Sequence, residues 1–174
     1  RPNIIKLIDA SPEQVRQYHA EAPEATIFLR DHPMSEQHDD MVNDPEATGK
    51  RHASDWFSRI NNYNLPLDRI IVSGINEPKV WSHLTQTVRY TVAFLDACTR
   101  LGLSATALNL SVGWPANNGD ATLPDWTPYT PVHAAIKRGI GHVLCVHEYF
   151  DHNGPHYNWG WWCGRVLNNP WDVP

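Results

Sequence analysis

Residues 69–78 read RIIVSGINEP, and the way this stretch divides decides the fold. Ile70, Ile71 and Val72 are β-branched and apolar, the composition of a strand buried on both faces. Asn76, Glu77 and Pro78 then stand where the chain should be leaving a sheet. Turns favour Gly, Asn or Asp, so the glutamate needs a reason. Pro78 disfavours helical backbone in the residue before it, which makes Glu77 extended and keeps the strand's aim. Period-two alternation through this segment sets Ser73, Ile75 and Glu77 on one face and Asn76 on the other.

Working outward, four further runs have the same texture: IIKLID (4–9), ATIFLRDH (25–32), ATALNLSVGWP (105–115) and HVLCVHEYF (142–150). Each reads as a buried strand. Helix signals lie between them. Ser11, Pro12 and Gln14 form a capping box, and Asp44 with Pro45 repeats the logic. From Trp81 to Leu101 an apolar face recurs at helical spacing through Leu84, Val88, Thr91, Val92, Leu95 and Cys98, with Gly102 as C-cap. TPVHAAIKRG runs from a Thr130 cap to Gly139. Alternating strands and helices predict right-handed βαβ units and a parallel sheet. The whole of 1–174 is one domain, and 151–174, rich in Gly, Asn, Pro and Trp, reads as a long loop leading to a further strand. A doubly wound sheet can stop at five strands; a closed barrel of about 250 residues cannot, so a barrel here is an incomplete one.

The 174 residues are 41% apolar and 19% charged, with a net charge of -5, which argues against nucleic-acid and anionic-membrane partners. No apolar run reaches the ~18 residues of a membrane span. Cys98, Cys145 and Cys163 show no metal or redox spacing and read as packing residues. Eight Trp is an excess that asks for a ligand or partner.

In parallel sheets, functional groups gather at the C-terminal strand ends. Those ends carry Asp9; Arg30, Asp31 and His32; Asn76 and Glu77; Trp114; and His147, Glu148 and Tyr149. A stiff carboxylate beside an amide suits glycosidic cleavage, one group protonating the leaving oxygen and the other holding a sugar hydroxyl. The ordinary alternative is a first-turn surface carboxylate. Alternation puts Val143, Cys145, His147 and Tyr149 on one face, with Glu148 on the other; a hydrogen-bonded core histidine competes evenly with a site role for His147. Arg30 is either the partner of Asp31 or another carboxylate, or a substrate contact, and His32 is equally open. Trp114, Trp159, Trp161 and Trp162 either pack their own loops or line a carbohydrate groove.

INEP at one strand end, with HEY two strands later, resembles clan A of the glycoside hydrolases, retaining enzymes on a (β/α)8 barrel. The resemblance implies that Glu77 is the acid/base, that Asn76 contacts the sugar 2-hydroxyl, and that His147 and Tyr149 line the site. It makes the five runs strands two to six, with strand one before Arg1 and strands seven and eight beyond Pro174. The clan's nucleophile, a Glu on strand seven, then also lies beyond Pro174.

The expected protein is thus a retaining glycosidase, or a barrel segment of one, acting on a poly- or oligosaccharide without a cofactor. The alternative is a non-catalytic barrel that binds carbohydrate through its Trp-rich loops. A metal-dependent hydrolase, prompted by ten His, is disfavoured because His152 and His156 flank the helix-breaking NGP. Nothing in the sequence sets the compartment or the oligomeric state, although glycan activity would favour an extracellular or cell-surface location.

Overall fold

The computed structural model describes residues 4–110 and 125–146. Five strands, β1 (Ile4–Ile8), β2 (Thr26–Arg30), β3 (Ile70–Val72), β4 (Ser104–Leu110) and β5 (Val143–Val146), form one sheet in the order β1-β2-β3-β4-β5. Every neighbouring pair is parallel. Parallel neighbours need crossovers, and each connection carries helix. These are α1 (Pro12–Glu21), then α2 (His32–Ser35), α3 (His38–Asn43) and α4 (Pro45–Ile60), then α5 (Val80–Arg100), then α6 (Thr130–Arg138). The protein is therefore α/β. Its strand order contains no reversal of the kind that defines a doubly wound sheet. The sheet is not closed.

Most helix signals hold. Ser11 Oγ accepts the Gln14 amide while Gln14 Oε1 accepts that of Ser11, a complete capping box. Asp44 Oδ1 accepts the Ala47 amide ahead of Pro45. Gly102 follows α5 with φ +74°, the left-handed exit that glycine allows. Thr130 differs from expectation: it is the first residue of α6, and its hydroxyl donates to Thr127 O instead of capping. The stripe on α5 is also shifted. Thr87, Tyr90, Thr91, Phe94, Leu95 and Cys98 are buried, while Leu84, Val88 and Val92 are only partly so. A kink at His83, where φ is -135°, rotates the first turn away from the rest.

One face of the sheet packs on the helices. Ile27, Leu29, Ile70, Val72, Ala105 and Ala107 are buried there against Val15, Trp56, Ile60, Phe94 and Cys98. Each large apolar side chain removed from water contributes about 1.5–3 kcal/mol, and this layer is where the fold's stability resides. Helices α4 and α5 approach so closely that a Cβ on Gly49 would lie 2.7 Å from Tyr90 O and 2.8 Å from Phe94 N, so only glycine fits.

The opposite face carries Ile4, Lys6 and Ile8 beside Thr26, Phe28 and Arg30. Ile4 and Ile8 are 65% and 51% exposed, an apolar edge left open to solvent. Lys6 Nζ lies 5.1 Å from the Phe28 ring centroid, and its charge also acts on the Cys145 thiol of β5. Cys98 and Cys145 are both free thiols, raised in pKa by burial.

Two strand boundaries correct the sequence reading. β3 ends at Val72, so Ser73–Lys79 is a loop and the strand alternation does not reach Glu77. β2 ends at Arg30, and His32 opens α2. The short helices α2 and α3 were not anticipated, because Gln37 makes no side-chain cap and α3 lacks an amphipathic period long enough to read. The later part of ATALNLSVGWP, the residues after Val146 and the 151–174 segment lie outside the described residues.

Candidate functional site

Glu77 is not extended. Its φ is +45°, a left-handed conformation that costs a non-glycine residue energy and that the following proline disfavours further. The proline rule fails here because tertiary contacts override it. Strain of about 1–3 kcal/mol persists only where the surroundings over-determine it, and such residues cluster at functional sites. The other strained residues fit that pattern. Asp9 follows β1 with φ +52°, and Leu108 and Asn109 near the end of β4 have φ +73° and +44°. These lie at the C-terminal edge of the sheet; among the described residues only Asn64, just past the turn that follows α4, lies elsewhere.

The 73–79 loop is held by five elements. Ser73 N donates to Leu29 O at 2.9 Å, and Trp56 Nε1 donates to Ser73 O at 2.8 Å. Ile75 N donates to the Tyr90 hydroxyl at 3.1 Å, and Asn109 Nδ2 donates to Ile75 O at 3.1 Å. Asn76 N reaches Ser35 O at 2.9 Å, and Glu77 N reaches Asn109 O at 3.0 Å. The backbone is thus stitched to β2, α2, α4, α5 and β4, which is the over-determination that Glu77 requires. Gly74 belongs to the same arrangement. A Cβ there would stand 2.5 Å from Tyr90 Oη, so the glycine admits the phenol to the loop's back.

Asn109 reaches this position through a β-bulge. Ala107 pairs with Leu144 and Leu110 with Val146, so β4 spends one more residue than β5 between the two pairs. The extra residue bends the strand and turns Asn109 inward, where it is 3% exposed.

Arg30 and Asn76 are joined through Ser35. Arg30 Nε donates to Ser35 Oγ at 3.2 Å, and the same residue's carbonyl accepts the Asn76 amide. Arg30 also pairs with Glu36 at 3.2 Å. Asp31 pairs instead with Arg59 and caps α2 by accepting the Met34 amide at 2.7 Å. The carboxylate partner of Arg30 is thus Glu36 and not Asp31. His32 is exposed on α2, and its amide donates to Asp9 Oδ1 at 2.7 Å, which ties the end of β1 to that of β2. Asn76 and Glu77 are each half-buried. Trp114, His147, Glu148, Tyr149, Trp159, Trp161 and Trp162 lie outside the described residues.

Arg30, Asn76 and Glu77 therefore share one hydrogen-bonded edge, while His32 touches it only through its backbone. Ser35, Tyr90 and Asn109 complete the edge and were missed from the sequence. Two of them had a signal. An asparagine inside the apolar run ATALNL must be fully hydrogen-bonded if buried, and Gly74 directly after a strand marks a close approach. Ser35 had none.

Among the described residues, no group of three or more His, Cys, Asp or Glu is arranged to hold a metal ion. No helix among them is long and apolar enough to cross a membrane. Comparison with protein-family models, with curated proteins and with solved structures gave no match.

Proposed function

We propose that the chain is the central part of a (β/α) barrel of a retaining glycosidase acting on a poly- or oligosaccharide, with Glu77 as the general acid/base. The observation that carries this reading is the strained Glu77 backbone, held by hydrogen bonds from neighbouring elements at the C-terminal edge of a sequentially ordered parallel sheet. Catalytic groups of barrel enzymes belong to that edge. A proton donor must keep a fixed position relative to the leaving oxygen, and a loop with its backbone groups paired supplies that without help from substrate. Asn76, adjacent and half-buried, is assigned to a sugar hydroxyl. The attacking carboxylate stands about 5–5.5 Å from the acid/base in retaining enzymes and belongs to a strand outside this chain.

The test uses the protein containing all barrel strands and a panel of 4-nitrophenyl β-glycosides. Glu77→Gln keeps the shape of the side chain and removes its proton chemistry. The expected loss in kcat is about 100-fold to 10,000-fold, with glycan binding retained. A wild-type protein that binds oligosaccharides and cleaves none of the panel supports the non-catalytic carbohydrate-binding barrel instead. Hydrolysis undiminished in the variant removes Glu77 from the role.

A further inference from the structure

Behind the 73–79 loop, a chain of buried side chains runs back to the helical layer. Tyr90 Oη lies 2.9 Å from His52 Nδ1, and His52 Nε2 lies 2.9 Å from Gln37 Oε1. The direction of every bond follows from its outer ends. Arg51 Nη2 donates to Gln37 Oε1 at 2.9 Å, so that atom is the amide oxygen and an acceptor. His52 Nε2 must then carry the proton, which leaves Nδ1 bare and accepting. The Tyr90 hydroxyl gives its single proton to Nδ1, and its oxygen accepts the Ile75 amide. For a neutral imidazole, no other distribution of protons satisfies all four contacts.

We infer that Tyr90 and His52 are positioning residues for Glu77: a one-way hydrogen-bond chain that runs from the Ile75 amide through Tyr90 and His52 to Gln37 clamps that amide, and with it the loop that carries the carboxylate. Neither residue touches the reacting atoms. His52 is fully buried and Tyr90 is 3% exposed. Burial lowers the His52 pKa to about 4, against the raising influence of Asp40 on α3 and Asp31 beside β2 and with the lowering influence of Arg51 on α4. Burial likewise raises the Tyr90 pKa, with Cys98 on the same helix adding to it. Imidazole and phenol thus stay neutral at physiological pH, the only charge states in which the chain keeps its direction. The geometric claim stands on the contacts alone; its catalytic consequence rests on the glycosidase reading.

The experiment is amide hydrogen exchange on the 15N-labelled chain, with Val72 in β3 as the internal reference. Tyr90→Phe leaves the Ile75 amide buried without an acceptor, so its exchange should accelerate about tenfold to a hundredfold more than that of Val72. General destabilisation would accelerate both amides alike, and that outcome overturns the proposal. His52→Asn offers an Oδ1 acceptor to the phenol and should restore Ile75 protection that His52→Ala loses; equal loss in the two counts against the chain. The imidazole 15N spectrum of the wild type should show a neutral ring protonated at Nε2, and a proton on Nδ1 overturns the assigned direction. In the full barrel, Tyr90→Phe should lower kcat on the nitrophenyl glycosides with little change in KM. A wild-type enzyme inactive on all of them counts against the glycosidase reading alone, because the exchange result decides the inference without it.

Discussion

Gly74→Ala is the sharpest probe of the loop, because one methyl group meets one hydroxyl. The added Cβ would lie 2.5 Å from Tyr90 Oη and 3.2 Å from Phe94 Cε1. The phenol cannot swing aside freely. Its ring stacks on Phe94 at 5.9 Å and 8°, and its oxygen is bonded to both Ile75 N and His52. Overpacking a filled core costs about 1–3 kcal/mol. Displacing the hydroxyl leaves at least one buried polar group unpaired, a further ~1–3 kcal/mol. The expected destabilisation is about 2–6 kcal/mol, read as a shift of the denaturant midpoint at constant m. Tyr90→Phe removes the oxygen that the methyl strikes, so Gly74→Ala should cost about 1–2 kcal/mol less in that background. The Phe94 contact stays, so the cost should not vanish. Equal costs in the two backgrounds would show that Gly74 is required for another reason, and the proposed packing of loop on phenol would fail.

His52 gives a pH signature. Its folded pKa of about 4 lies below the ordinary 6.5, so between these values the unfolded chain binds a proton that the folded chain refuses. Stability from this residue is full above pH 6.5 and lost as pH falls toward 4, about 3 kcal/mol in all. His142, also lowered by burial, adds loss of the same sign. A His52→Gln chain should show a flatter profile of unfolding free energy over that range, and an unchanged slope would contradict the assignment. Asn109→Ala frees Ile75 O and puts a poorer residue at φ +44°, so about 2–3 kcal/mol of stability should be lost in denaturant titration. A loss below about 0.5 kcal/mol would mean that the loop is held without the amide.

The strands were legible because each falls in a short apolar run bounded by polar or turn residues, and the helices because Ser11, Asp44 and their prolines mark starts in local chemistry. The site was legible by residue type and not by geometry. Glu77 and Asn76 could be singled out from INEP, yet the backbone at Glu77 is the reverse of what its proline neighbour favours. That choice is made by Asn109, 32 residues later, and by Ser35, 42 residues earlier in the sequence. Local rules carry no information about partners so distant. The end of β3 was misplaced for a related reason. Ile75 continues the apolar alternation, but its amide bonds to a tyrosine side chain instead of a neighbouring strand. The Arg30 partner was open for want of α2, whose start at Asp31 and His32 lies inside the run taken for strand.

The seam at Gly49 has one more effect. His52 stands one helical turn beyond it on α4, and Tyr90 supplies the carbonyl that Gly49 faces on α5. With main chain resting on main chain, there is no side chain whose rotamers could let the two cylinders slip. The clearance between them is set by atoms that cannot be exchanged by mutation, and the span from imidazole to phenol inherits that tolerance. A hydrogen atom in place of a side chain, far from any substrate, thereby acts as the gauge block against which the acidic loop is aligned.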